Sequence, residues 1–188
     1  MNPLVSLAKQ SVENYIREGK IISPPEDLPG EFLTRRAGTF VTIMKDGELR
    51  GCIGTYLPTK INIAQEVIHN AVAAATEDYR FGPIQETELP ELSYTVYVLS
   101  EPELVKNINE LDSKKYGIII KTTPILSPNR TDVVFNGHVV AKSALLLPDL
   151  EKIDTIEKQI SIACQKGGIN PTKEKIIIYR FTVEKYVQ

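Results

Sequence analysis

A chain of 188 residues with 42% apolar and 24% charged side chains can bury a hydrophobic core, which excludes disordered, collagen-like and low-complexity proteins. Its 22 basic and 24 acidic side chains give a net charge of −2, which disfavours general binding to nucleic acids or anionic lipids. No apolar run reaches the roughly 20 residues of a membrane span, and the chain does not begin with a secretory signal. We therefore expect a cytoplasmic protein with one domain over residues 1–188, in which both cysteines are reduced thiols.

The first half of the sequence predicts two helices and a hairpin. Asn2 and Pro3 are typical of a helix start, and Gly19 is typical of its end. The turn Asp46-Gly47 joins two runs of strand-forming residues. The predicted elements are a helix over 3–18, a loop over 23–30, strands over 38–44 and 49–55, and a helix over 61–77.

The second half predicts further short strands and one helix. The predicted elements are a polar loop over 78–90, strands over 94–99 and 116–121, a hairpin over 133–140, a leucine run over 145–147, a helix over 155–166 and a last strand over 176–181. Asn136-Gly137 is the turn of that hairpin. Because tight hairpins pair antiparallel strands, the sequence predicts an α+β fold with a largely antiparallel sheet and flanking helices.

The segment LRGCIGT, residues 49–55, combines residue types that are unusual in a strand. Glycine weakens a strand unless another backbone or a ligand comes close, so Gly51 and Gly54 indicate such an approach. Arg50 could lower the pKa of the Cys52 thiol and hold a carboxylate or phosphate. The alternative is a glycine-bulged strand in which Cys52 is a small buried apolar side chain.

The sequence has few other groups of residues that are typical of catalytic, metal or cofactor sites. His69 lies beside the apolar stripe of its helix and His138 follows a turn, so both are expected to be solvated and neither is predicted to pair with a cysteine. The sequence has no zinc-ligand spacing, phosphate loop or dinucleotide fingerprint, so no metal site is predicted, the common cofactor enzymes are disfavoured, and any cofactor is left unknown.

A second candidate cluster is Asp78, Arg80 and Phe81, which follow the predicted helix. An arginine beside an aromatic ring can reach an anion, with the acid orienting it. The alternative is a structural ion pair with Phe81 as part of the core. Arg35-Arg36 and Lys142-Ser143 are weaker candidates, because both are more typical of an ordinary surface.

LRGCIGT resembles the signature of the AMMECR family, named for the chromosomal region of Alport syndrome, midface hypoplasia, intellectual disability and elliptocytosis. The segments GTFVTI, DYRFGP, ELPEL, YTVYVLS, YGIII, LLLP and QKGGI occur in the order of that family. The sequence departs from the family's usual pattern at Ser143-Ala144 and Asp149.

The resemblance implies an α+β fold with a larger and a smaller lobe and the signature near the cleft between them. It also implies similarity to component A of the AmmeMemoRadiSam set, whose partners are a Memo-like protein and a radical S-adenosylmethionine protein. The resemblance indicates which positions of this sequence match the motifs of the family, but it assigns no role to them. These positions are Arg50, Gly51, Cys52, Ile53, Gly54, Thr55, Asp78, Arg80 and Phe81.

Two hypotheses of function follow. In the first, the LRGCIGT motif with Asp78 and Arg80 binds or modifies a small anionic ligand or a partner's terminus, and Cys52 is the candidate catalytic residue. In the second, the protein is a non-catalytic adaptor whose exposed surface recruits other proteins. Binding of nucleic acid is a third and weaker hypothesis, because basic and aromatic residues are not interleaved.

Overall fold

The structure of the chain, a computed structural model, describes residues 2–123 and 141–188 and the backbone of two short strands between them. The chain divides into two compact units, Met1–Glu101 with Glu184–Gln188, and Pro102–Val183. The helices and strands are α1 (Pro3–Glu18), α2 (Gly30–Thr34), β1 (Thr39–Lys45), β2 (Glu48–Thr55), α3 (Ile63–Thr76), β3 (Leu92–Leu99), β4 (Glu103–Leu104), β5 (Gly117–Thr122), β6 (Val134–Phe135), β7 (His138–Val139), β8 (Ser143–Leu146), α4 (Ile156–Lys166), β9 (Ile176–Phe181) and β10 (Val183–Val187).

The first unit is a four-stranded sheet with helices α1 and α3. Its strand order is β10-β3-β1-β2, and β1 is antiparallel to both of its neighbours. Alternate side chains of the strands, including those of Val41, Ile43 and Val96, are fully buried in one core with the apolar faces of the helices. The apolar stripe of α3 thus packs as the sequence predicts.

Local chemistry sets the ends of the first elements. The Asn2 side chain accepts a hydrogen bond of 3.0 Å from the backbone amide of Leu4, and Gly19 ends α1 with a φ of 67°. Asp46 and Gly47 have φ angles of 51° and 79°, as a tight turn between β1 and β2 requires. These predicted boundaries are confirmed.

The second unit has a four-stranded antiparallel sheet of order β4-β9-β5-β8. Helix α4 covers this sheet and is capped by Thr155, whose hydroxyl accepts a hydrogen bond of 3.2 Å from the Lys158 amide. Ile118, Ile120 and Ala163 are completely buried in the core between them. Antiparallel sheets with helices confirm the predicted α+β fold.

Five elements of the described residues are absent from the sequence prediction. They are α2, β4, β10 and two 3₁₀ helices, Ile108–Glu110 and Glu86–Glu91, the second of which lies in the predicted polar loop over 78–90. All are short, so their apolar periodicity is too weak to read. The predicted hairpin over 133–140 has its strands in β6 and β7, and its turn lies outside the described residues.

Candidate functional site

The LRGCIGT motif lies on β2, one of the two edge strands of the first sheet. Ile43 pairs with Gly51 and Met44 pairs with Leu49, so Arg50 is the extra residue of a β-bulge. A bulge bends a strand and redirects the side chain of the extra residue. Here it directs Arg50 away from the regular alternation of β2 and towards the segment 82–88.

Arg50 is held by protein groups on several sides. Its Nε and Nη2 donate to the two carboxylate oxygens of Glu88 at 2.9 and 3.0 Å, and its Nη1 donates to the carbonyl of Gly82 at 2.9 Å. The hydrogen bond from Arg50 is the main reason why the pKa of Glu88 falls to about 2. Lys45 adds a weaker contact of 3.4 Å to the same carboxylate. Arg50 therefore anchors the segment 82–88 to β2, and a ligand-binding role for it stays a prediction.

The two glycines of the motif are contacted by protein atoms on opposite faces of β2. A Cβ at Gly51 would lie closer than 3.0 Å to the carbonyl oxygen of Ala74 in α3. A Cβ at Gly54 would lie closer than 3.0 Å to the Phe40 ring. The close approach that the sequence indicates is thus made by a helix backbone at Gly51 and by an aromatic side chain at Gly54.

Cys52 lies between the two glycines with its side chain half-buried. Its backbone amide donates to Oδ2 of Asp78 at 2.9 Å, and its Sγ accepts from the hydroxyl of Thr42 at 3.2 Å. Cys164 differs, because it is only 3% exposed and burial raises the pKa of its thiol. Of the two thiols, that of Cys52 is the more accessible.

Asp78 connects the motif strand to Arg80. Its carboxylate is buried and accepts from Nε and Nη2 of Arg80 at 2.9 and 2.6 Å, in addition to the Cys52 amide. The hydrogen bond from Arg80 is the main reason why the pKa of Asp78 falls to about 2, and desolvation opposes that shift. The ion pair that both interpretations of this cluster predict is therefore present, and binding of an anion by Arg80 stays a prediction.

The Arg80 guanidinium remains accessible after this pairing, with 44% of its side chain exposed. Its carbon Cζ lies 5.4 Å from the centre of the half-buried Phe81 ring, within the range of a cation–π contact. The pKa of Arg80 is raised, mainly by its hydrogen bond to Asp78, whereas desolvation lowers it. The negative charges of Asp78 and then Cys52 raise that pKa further. The thiol and the guanidinium are thus electrostatic neighbours.

Two residues of the motif face the helices. Ile53 is partly buried against the first core. The Thr55 hydroxyl donates to Glu66 at 2.6 Å, and Glu66, which is completely buried, also accepts from the Thr59 and Lys60 amides at 2.8 and 2.7 Å. Buried Asn70 bonds the hydroxyl of Thr39 on β1 at 2.9 Å. These contacts fasten the exit of β2 to α3.

The remaining candidates are dispersed. His69 is exposed as expected, whereas the His138 side chain lies outside the described residues. Arg35 pairs with Glu184 at 2.8 Å, and Lys142 pairs with Glu174 at 3.0 Å. Within residues 2–123 and 141–188, no group of three or more His, Cys, Asp or Glu side chains could hold a metal ion. No helix in the described part of the chain is long and apolar enough to cross a membrane.

The structure adds four residues that the sequence reasoning did not select: Thr42, Glu66, Asn70 and Glu88. Glu66 and Asn70 are polar residues four apart within the apolar stripe of α3, which is a signal of buried polar contacts. Thr42 and Glu88 have no such signal, because their roles depend on partners far away in the chain.

Comparison with known proteins places these contacts in a family context. A family model described as AMMECR1 matches residues 5–186. A protein of Thermotoga maritima is 49% identical over 186 residues, which are 98% of this chain and 97% of that protein. A longer protein of Clostridium acetobutylicum is 36% identical over 99% of this chain, and the match covers 35% of its length. The crystal structure of an uncharacterised protein from Pyrococcus horikoshii superposes with a TM-score of 0.82 at 29% identity, covering 97% of this chain and 88% of that one.

Proposed function

The chain belongs to the AMMECR1 family, and on this premise we propose that it binds a small anionic ligand, or the carboxyl terminus of a partner, at Arg80 beside the Cys52 thiol. One observation carries this proposal: a single buried carboxylate, that of Asp78, bonds both the Cys52 amide and the Arg80 guanidinium. The shared carboxylate fixes an accessible cation beside the backbone of Cys52, and the charge of Cys52 contributes to the raised pKa of that cation. A carboxylate or phosphate would accept hydrogen bonds from the exposed part of that guanidinium.

The other motif residues support this arrangement in different ways. Arg50 acts through the segment 82–88, which it holds against β2, and Phe81 packs beside the guanidinium. Gly51 admits the backbone of α3, and Thr55 fixes the end of the strand. In this proposal, Arg80 binds the anion and Cys52 is the group that contacts it or reacts with it.

Competition between two alkylating reagents tests the proposal. Iodoacetate carries a carboxylate and iodoacetamide does not, so an anion site at Arg80 favours iodoacetate at Cys52. Mass spectrometry gives the ratio of the two rates, with Cys164 of the unfolded chain as the reference. We expect that ratio to exceed the reference by about two- to fivefold, the range for an exposed charge pair.

Two variants make this test specific. Arg80→Gln should return the ratio to the reference, whereas Arg17→Gln, which changes another exposed arginine, should leave it high. Inorganic phosphate should slow alkylation of Cys52 in the wild-type protein. A ratio equal to the reference, or one that Arg80→Gln leaves unchanged, would contradict the proposal.

A second candidate function is that of a non-catalytic adaptor. It is supported by the many protein contacts of Arg50, Gly51 and Gly54, which give most of the motif a structural role. It is also supported by Tyr79, which is 95% exposed, since exposed tyrosines are frequent anchors of protein interfaces. The partners that the family resemblance implies are a Memo-like protein and a radical S-adenosylmethionine protein, and both candidate functions assume a cytoplasmic location.

Co-purification with these two partners distinguishes the candidates. An adaptor should lose its partners in Tyr79→Ala and keep them in Cys52→Ser and Arg80→Gln. If Arg80→Gln alone releases a partner, the partner's carboxyl terminus becomes the ligand in the first proposal.

A further inference from the structure

A cavity of about 260 Å³ lies in the first unit, between the segment after α1 and the first half of α3. Its principal lining residues are Ile21, Ile22, Pro24, Lys60, Ile68 and His69. Cys52, Asp78 and Arg80 do not line this cavity, so it is separate from the site proposed above.

One part of the cavity is apolar and incompletely covered. Ile21 is 63% exposed although three further apolar side chains line the cavity with it. Ile61, the neighbour of Lys60 in the chain, is 70% exposed. Adjacent exposed apolar side chains around a concavity are typical of a binding site.

The polar part of the cavity favours an anion. Lys60 and His69 line it, and none of its described lining residues is acidic. The nearby carboxylate of Glu66 is completely buried and accepts hydrogen bonds from Thr55, Thr59 and the Lys60 amide. The N-terminal end of α3, which carries partial positive charge, lies on the same side.

The size of the cavity limits the ligand. At about 30 Å³ for each water molecule, 260 Å³ corresponds to roughly nine non-hydrogen atoms. The geometry points to a binding site for a small amphipathic monocarboxylate, with its apolar chain against the isoleucines and its carboxylate at Lys60 and His69.

Titration of the ¹⁵N-labelled chain with hexanoate, followed by two-dimensional NMR, tests this inference. We expect saturable shifts of the amides of Ser23, Gln65 and His69, which all line the cavity, with a Kd in the millimolar range or below. Hexan-1-ol has the same number of carbon atoms as hexanoate but no charge, and acetate has the charge without the chain. Both should bind at least about tenfold more weakly, as the loss of a charge-assisted hydrogen bond or of apolar burial implies.

Lys60→Met provides the matched variant. The backbone amide of Lys60 donates to Glu66 and its carbonyl accepts from Arg36, and both contacts survive the substitution. We expect hexanoate affinity to fall about tenfold in Lys60→Met, to stay near the wild-type value in Lys60→Arg, and to stay unchanged in Lys106→Met, which alters an exposed lysine of the second unit.

Three results would overturn the inference. The first is that the shifts do not saturate by about 10 mM hexanoate, a concentration tenfold above a millimolar Kd. The second is that hexanoate and hexan-1-ol bind with equal affinity. The third is that Lys60→Met binds hexanoate as tightly as the wild-type protein does. A well-dispersed spectrum of each variant verifies its fold. None of these outcomes depends on Cys52 or Arg80.

Discussion

Gly51→Ala should destabilise the first unit strongly. The new methyl group would lie closer than 3.0 Å to the carbonyl oxygen of Ala74 and 3.2 Å from its carbonyl carbon. Ordinary contact begins at 3.4 Å, and a backbone carbonyl within α3 cannot rotate away as the end of a side chain can. Strand and helix must therefore separate along their contact.

The magnitude follows from the packing at this point. When strand and helix separate by about half an ångström, the atoms that line the gap lose roughly a quarter of their dispersion energy. The atoms concerned belong to the fully buried face between β2 and α3, where Ala71 and Ala74 are at most 2% exposed. Overpacking of a core typically costs 1–3 kcal/mol, and we expect about 3 kcal/mol here because the obstacle is backbone.

Urea unfolding monitored by far-ultraviolet circular dichroism measures this loss. With an m-value of about 2 kcal/mol/M, a loss of about 3 kcal/mol lowers the midpoint by about 1.5 M. Gly30→Ala is the matched control, because a Cβ there meets no atom within 4 Å. The reasoning is refuted if Gly51→Ala unfolds within about 0.3 M of Gly30→Ala, a difference close to the error of extrapolation.

Three further changes test the contacts around the motif. Because the folded pKa of Glu88 is about 2 rather than 4.5, the stability it contributes is present above pH 4.5 and is lost as the pH falls towards 2. Glu88→Gln should remove that part of the pH dependence, on the order of 2 kcal/mol, in urea titrations from neutral to acidic pH. Arg50→Lys should lower the free energy of unfolding by about 1–2 kcal/mol, because lysine cannot form the bidentate pair that arginine makes with Glu88. An unchanged urea midpoint would contradict the structural role of Arg50. Glu66→Gln should lower the free energy of unfolding by about 2–4 kcal/mol, because the amide group of the new glutamine would face the N–H and hydroxyl donors of residues 55–60 that the carboxylate accepts from. A variant that unfolds thermally near the wild-type temperature would argue against this account.

Elements with local signals could be predicted from the sequence. The start of α1 is determined by Asn2 and Pro3 and its end by Gly19, all within one turn of the helix ends. The hairpin of β1 and β2 depends on Asp46-Gly47 in the same way. Short elements such as β4 gain their stability from pairing with β9, which is distant in the chain, so no local pattern predicts them.

The candidate site could be predicted as a group of positions, but the contacts of those positions could not. From the sequence alone, either a backbone or a ligand could approach Gly51, and in the structure the backbone carbonyl of Ala74 does so. Arg50 is predicted to meet an anion, and the structure provides one within the chain, the Glu88 carboxylate, 38 residues away. Long-range partners of this kind depend on the tertiary fold, which no local motif specifies.

The bulge at Arg50 also determines which changes in length the motif can accept. Leu49 pairs with Met44 and Gly51 pairs with Ile43, so a chain that lacks Arg50 would keep both pairings in a regular ladder. Loss of Ile53, with Gly54 still paired to Phe40, would instead turn the thiol of Cys52 towards the helices, because side chains alternate along a strand. Insertions and deletions should therefore be accepted on the arginine side of the first glycine and rejected between the two glycines.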